Sequence, residues 1–155
     1  MLICGDYSLS TTQCEAQFAI WAMLAAPLFM SNDLNSLDPE VRAVLQNPHV
    51  IAVNQDPLGV QGKRYIKQDS IQVFSKPLNK GDYAVAVLST RTDGTPHEIT
   101  FTLAQLKVPS GLYSMMDLFP PHQHGKYSAD DKLTVSVDPN GVRMFRATPY
   151  HLGSD

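Results

Sequence analysis

The sequence predicts a short α/β segment with parallel strands, followed by an all-β antiparallel sandwich. Three observations carry this. Unbroken apolar runs alternate with helix signals as far as residue 56 or so. Past Asp56-Pro57-Leu58-Gly59 the hydrophobic period changes from helical to alternating. Turn sequences, Asn79-Lys80-Gly81, Thr92-Asp93-Gly94 and Pro139-Asn140-Gly141, then recur between short apolar stretches.

Met1 to Cys4 is apolar without polar interruption and closes on Gly5-Asp6, which reads as a buried strand. Ser10 with Gln13 three residues on forms a capping-box pattern, so a helix should begin there. It should stop at Ala26, because Pro27 disfavours the helical region in the residue before it. Phe18, Ile20, Trp21, Met23 and Leu24 cannot all face one core. This helix should therefore pack on a sheet on one side and on neighbouring helices on another. Leu28-Phe29-Met30 reads as a second unbroken strand, followed by the polar loop Ser31-Asn32-Asp33. Asp38-Pro39 opens a short helix through Gln46 that Asn47-Pro48 closes, and Val50 to Val53 is a third short apolar run. These β-α-β-α units are too few to close a barrel or cover both faces of a sheet. Beyond them the candidate strands are Ile71 to Phe74, Tyr83 to Ser89, Glu98 to Leu103, Gly111 to Met116, Leu133 to Val137 and Val142 to Ala147.

The 155 residues are 43% hydrophobic and 17% charged, the composition of a chain that buries a core. Twelve Lys and Arg stand against fifteen Asp and Glu, a net charge of −3, and no basic cluster exists for a phosphate backbone, so nucleic acid is not an expected partner. The longest apolar run, Phe18 to Met30, contains Pro27 and falls short of the ~20 residues a membrane-spanning helix needs. The N-terminal residues carry no basic region and no adequate apolar stretch, so no secretory signal is read from them. Two cysteines and no Asn-x-Ser/Thr site leave the compartment unmarked.

Chemistry in parallel α/β structures sits at the C-terminal ends of the strands. Here those ends carry Asp6 and the Ser31-Asn32-Asp33 run. Two carboxylates flanking a cleft could act as nucleophile and acid/base of a glycosidase. The plainer reading, which we favour, has Asp6 and Asp33 as loop residues bonding backbone amides, with Asp56 before Pro57 as a turn residue. His122 and His124, near Asp117 and Asp130, could suggest a metal site. They lack a third close partner and sit in a Pro-rich stretch expected to be a solvated loop, so no metal ligand is assigned. His49, His97 and His151 are isolated. Cys4, among apolar neighbours, reads as a buried thiol, and Met115, Met116 and Met144 as core filling.

The residue strings say more than the pattern. Ala25-Ala26-Pro27-Leu28-Phe29-Met30-Ser31-Asn32-Asp33-Leu34 and Val53-Asn54-Gln55-Asp56-Pro57-Leu58-Gly59, with the helix Gln17 to Trp21 before them and Lys76-Pro77-Leu78 after, resemble the α-galactosidases and α-N-acetylgalactosaminidases of the melibiase-type glycoside hydrolases. The resemblance is strong from Met1 to about Gly62 and fades through the sandwich. It implies that residues 1–62 are the last two βα units of a TIM barrel, with Met1 to Gly5 as the seventh strand and Leu28 to Ser31 as the eighth. Residues 63–155 are then a C-terminal antiparallel sandwich.

The resemblance further implies a retaining exo-glycosidase that removes terminal α-galactose or α-N-acetylgalactosamine from glycolipids and glycoproteins. Such an enzyme works through a glycosyl-aspartate, without cofactor, as a lysosomal or secreted homodimer. The catalytic aspartates of the family lie on earlier strands, so no catalytic residue is carried over and the chain alone is expected to be inactive. A secreted parent would need an upstream signal. Met1 matches a methionine that lines the family's sugar pocket, and Leu2, Gly5 and Leu9 continue the pattern behind it. Cys4 and Cys14 stand where no disulfide partners are expected, and Asp6 where many relatives have Asn. Leu45-Gln46-Asn47-Pro48 and Gln61-Gly62-Lys63-Arg64 tilt the match toward the N-acetylgalactosaminidase branch. The rival reading is a non-catalytic carbohydrate- or protein-binding module, although Tyr83, Tyr113, Phe119 and Tyr127 are scattered over different expected elements. Without barrel neighbours, the helix Phe18 to Leu24 should be exposed and promote self-association.

Overall fold

The computed structural model describes residues 1–5 and 8–153. The two expected parallel strands meet as a single bridge, Leu2 with Met30. The Leu2 amide donates to the Phe29 carbonyl at 2.7 Å, and the Ser31 amide donates to the Leu2 carbonyl at 2.8 Å. Between them runs α1 (Thr11–Met23), capped as its sequence dictates: the Ser10 hydroxyl accepts from the Gln13 amide at 3.2 Å, and the Gln13 side chain accepts from the Ser10 amide at 3.0 Å. The helix stops three residues before the expected end. Ala25 takes a left-handed φ of 50° and lets the Ala26 amide reach back to the Trp21 carbonyl at 3.0 Å, so the chain has already turned before Pro27.

Two short helices follow, α2 (Pro39–Leu45) and α3 (Pro48–Asn54), and the third apolar run, Val50 to Val53, is part of α3. Asn47-Pro48 closes one helix and also starts the next. The Asn47 side-chain oxygen accepts from the His49 amide at 3.1 Å and from the Val50 amide, and Pro48 takes the first helical position, where its missing N–H costs nothing.

The expectation for the cysteines is overturned. Cys4 and Cys14 form a disulfide with Cα atoms 5.1 Å apart. Both side chains are fully buried, Cys4 as its apolar neighbours suggested, but they face each other because Cys4 ends the strand beneath the first turns of α1. A chain reversal at Gly5, with φ of 95°, brings them together.

The second part consists of a six-stranded antiparallel sheet and a two-stranded one. In chain order the strands are β1 (Lys63–Gln68), β2 (Ile71–Pro77), β3 (Tyr83–Ser89), β4 (His97–Phe101), β5 (Leu112–Leu118), β6 (Pro121–Ser128), β7 (Leu133–Val137) and β8 (Val142–Pro149). The large sheet runs β1-β2-β3-β8-β5-β6, and β4 pairs with β7 across from it. Pattern reading misses β1 and β6, and the stretch expected as a loop around His122 and His124 is strand β6. Neither strand shows an apolar alternation, because both lie at the edges of the sheet and are largely exposed.

The large sheet is covered on both faces. Val73, Val85, Val87, Met115 and Phe145 point into the core shared with β4 and β7. Ala84, Ala86, Leu118, Val142 and Met144 point the other way, into a core shared with the three helices. The alternation of alanine and valine along β3 thus has a steric reason: the small residues lie on the side where α1 must approach. The helix is therefore not exposed as expected. Phe18, Ala19, Ala22 and Met23 are buried, whereas Leu24 at the helix end is exposed, as are Met1, Ile3, Phe29, Met30 and Leu34 on the strands and the loop after them.

Candidate functional site

The C-terminal ends of the two parallel strands open on a cleft of about 650 Å³ lined by Gly5, Leu9, Ser10, Asp33, Ser36 and Asp38, among others. Two side chains tie the strand ends in place. The Gln17 oxygen, projecting from α1, accepts from the Ile3 amide at 3.0 Å and holds the first strand. Asn32 donates from its side-chain nitrogen to the Cys4 carbonyl at 2.6 Å, tying the loop after the second strand to the end of the first. Its side-chain oxygen is buried and has no partner among the described residues.

Asp33 is spent locally. Its carboxylate accepts from the Asn35 amide at 3.0 Å and from the Ser36 hydroxyl at 2.9 Å, and these bonds hold its pKa below the usual carboxylate range. This is the turn-residue reading. Asp6, the other carboxylate suggested by the sequence, lies outside the described residues. Met1 is 71% exposed at the start of the first strand.

His122 and His124 lie on β6 with different surroundings. The His122 ring is 2.8 Å from the Pro120 carbonyl, whereas His124 stacks on Tyr127 and meets Phe145 with ring centroids 5.0 Å apart. Burial is the main cause that holds the His124 pKa below its ordinary value. Among the described residues no group of three His, Cys, Asp or Glu is placed to hold a metal. Met115 and Met144 fill the cores as expected, and Met116 packs against the helical one.

The second residue string, Val53 to Gly59, works at the seam between helices and sheet. Asn54 donates to the Trp21 carbonyl at 3.2 Å and to the Ala26 carbonyl at 2.8 Å. The Asp56 carboxylate accepts from the Leu58 amide, the turn bond expected of it, and also from the Asn79 amide at 3.0 Å, which lies in the sandwich. Asn47 reaches the Leu118 carbonyl at 2.7 Å. Lys76 returns the connection from β2: its fully buried ammonium donates to the Ala22 carbonyl at 3.0 Å and to the Val53 carbonyl at 2.9 Å. Burial lowers its pKa from the ordinary lysine value, with the Asp56 carboxylate opposing the shift.

The comparisons with known proteins agree with this layout. Residues 1–56 match the family model described as Alpha galactosidase A, and residues 59–141, more than half of the chain, match the one described as Alpha galactosidase A C-terminal beta sandwich domain. The chain belongs to the alpha galactosidase A family. Within it, the chain is 41% identical over 154 residues to alpha-N-acetylgalactosaminidase of Gallus gallus, covering 98% of this chain and 38% of that protein. It is 44% identical over 106 residues to human alpha-galactosidase A, covering 68% of this chain and 25% of that one. Alpha-galactosidase I from Mortierella vinacea superposes with a TM-score of 0.88 at 25% identity, over 96% of this chain and 38% of its own. The chain therefore spans about two fifths of the length of the first of these relatives. Its similarity to this glycoside hydrolase family runs through both the helical part and the sandwich.

Asn32, Asn47, Asn54 and Lys76 escape a motif search for catalytic groups. Each has a polar or proline neighbour in the sequence, Ser31-Asn32-Asp33, Gln46-Asn47-Pro48, Asn54-Gln55-Asp56 and Ser75-Lys76-Pro77, so no local pattern marks it as buried and bonded.

Proposed function

We propose that this protein takes part in hydrolysis of terminal α-linked galactose or N-acetylgalactosamine, with retention, by supplying one wall of the sugar pocket and no catalytic carboxylate. The observation that supports this is the Leu2–Met30 parallel pairing with α1 as its crossover, which leaves the cleft at the strand ends, where barrel enzymes bind substrate. Residues 1–62 act as the end of the barrel and residues 63–155 as the sandwich that braces it. Met1, exposed at the start of the first strand and not part of the cleft lining, is the pocket residue by family resemblance, and it gives an apolar contact to one face of the sugar. Asp33, engaged by two local donors, is no nucleophile. The substrates are glycolipid and glycoprotein glycans, the N-acetylgalactosaminide being preferred, and neither metal nor organic cofactor is used. The assembly is a homodimer in a lysosomal or secreted setting. The buried disulfide Cys4–Cys14 fits an oxidising compartment, since such bonds seldom persist in the cytosol.

The test has two arms. The purified chain should release no chromophore from aryl α-galactosides or aryl α-N-acetylgalactosaminides. A chimera in which this chain replaces the matching C-terminal part of the Gallus gallus relative should hydrolyse the N-acetylgalactosaminide, and Met1→Ala in it should lower kcat/KM by about tenfold. A folded but inactive chimera would sink the proposal.

A further inference from the structure

A second cleft, of about 640 Å³, lies between α1, α2 and the turn joining β5 to β6. Its size falls within the range of about 300–1,000 Å³ typical of small-molecule sites. Its walls all come from described elements. It shares Thr11 with the strand-end cleft but is otherwise lined by different residues. Ala43, Val44, Phe119, Pro120 and Pro121 give it an apolar surface, and the charged groups of the lining are carboxylates: Glu15 from α1 and Glu40 from α2.

Most polar groups in this cleft are already engaged. Asn47 is spent on the Leu118 carbonyl and on capping α3. The Thr11 hydroxyl donates to Glu40 at 3.4 Å, a long bond. Glu15 is half-buried and accepts no hydrogen bond among the described residues. It also lines the adjoining groove with Phe119, Asp138 and Arg143. That guanidinium is committed elsewhere, since it donates to Asp117 at 2.6 Å and 2.9 Å and to the Ser136 carbonyl at 3.2 Å.

Around Glu15 stand Glu40 from α2, Asp117 from β5, Asp138 from the turn before β8 and Arg143 from β8. His122 follows the Pro120–Pro121 turn. Four carboxylates thus face one occupied guanidinium. Burial, then repulsion from Asp117 and Asp138, raises the Glu15 pKa above its ordinary value.

We infer that this cleft binds a small cationic amphiphile, an ammonium carried on an apolar body, with the charge at Glu15 and the body against Phe119, Pro120 and Pro121. Charge complementarity selects the cation, because an anion would meet uncompensated carboxylates. Apart from the engaged Thr11 and Asn47, the lining offers no neutral polar group to bond a sugar hydroxyl. Desolvation on binding strengthens the charge pairing, since the ligand brings the counter-charge that Glu15 lacks. Protonation of Glu15 removes the attraction, so binding weakens as pH falls through its raised titration range.

The experiment is titration calorimetry of the purified protein with phenylbutylammonium, alongside phenylbutanol as the neutral analogue of the same shape. The ammonium should bind saturably, about tenfold more tightly than the alcohol. Glu15→Gln should remove that advantage together with the pH dependence. Ala43→Phe, at an exposed position on the cleft wall, should block both ligands at an unchanged melting temperature. Equal binding of alcohol and ammonium, an unaltered affinity in folded Glu15→Gln, or no saturable binding at millimolar ligand would each overturn the inference. If Glu15→Gln fails to fold, Ala43→Phe and the alcohol comparison still decide.

Discussion

Lys76 is a charged side chain with none of its surface in water, held because its ammonium sits against the last turns of α1 and α3. Helix C-termini present unpaired carbonyls and a negative dipole end, so a cation there satisfies two requirements at once. Removing it strips the Val53 carbonyl of its ammonium donor and leaves the Ala22 carbonyl with backbone donors alone, such as the Ala25 amide at 3.2 Å. Lys76→Ala should therefore lower unfolding free energy by about 3 kcal/mol, given about 1.5–3 kcal/mol for a hydrogen bond to a charged group. Chemical denaturation measures this, and a loss below about 1 kcal/mol would show that the seam is held by apolar packing alone. Nothing in the string Lys76-Pro77-Leu78 discloses the role, since a lysine in a strand ordinarily reads as solvent-facing. Asp33 and Asp56 were legible because an aspartate at a chain turn bonds nearby amides whatever the fold. The second partner of Asp56, the Asn79 amide 23 residues on, depends on tertiary packing that local sequence does not encode.

At the scale of elements, the disulfide joins the end of the first strand to α1, the helix that also packs on the sandwich. It closes a loop of ten residues across the rim of the strand-end cleft. Chain-entropy reasoning gives about 2–3 kcal/mol for a loop of that size. Alkylation of denatured, unreduced protein should leave both cysteines unmodified. Cys4→Ala with Cys14→Ala should lower stability by that amount, whereas two titratable thiols in unreduced protein would contradict the bond. The pairing was not legible, because two cysteines ten apart carry no signal until the chain reversal is known. Strands β3 and β7 match their expected limits because each is buried in a clean alternation or an unbroken apolar run. The edge strands β1 and β6 escaped, since charge and proline protect sheet edges and erase the pattern that would reveal them. The helix cap at Ser10 was legible because it is entirely local.

At the scale of the molecule, the six-stranded sheet is a shared wall. One face closes the sandwich and the other carries the helices that hold the strand-end cleft. Gly62 shows how tight the seam is: its amide donates to the Met23 carbonyl at 2.6 Å, and an added Cβ would come within 2.8 Å of that oxygen. The strand-borne apolar residues Met1, Ile3, Phe29 and Met30 remain uncovered on the far side of this arrangement. The family resemblance was legible from long residue strings at fixed spacing, whereas the polar clamp that makes those strings useful was not. The central claim is that this chain shapes a glycosidase pocket without supplying its catalytic carboxylates. It is tested most directly by steady-state kinetics of the chimera carrying Asp6→Asn, Asp33→Asn and Asp38→Asn together. The account predicts kcat within about threefold of the unsubstituted chimera; a fall of about ten-thousandfold, the scale expected for loss of a nucleophile or its acid/base partner, would contradict it.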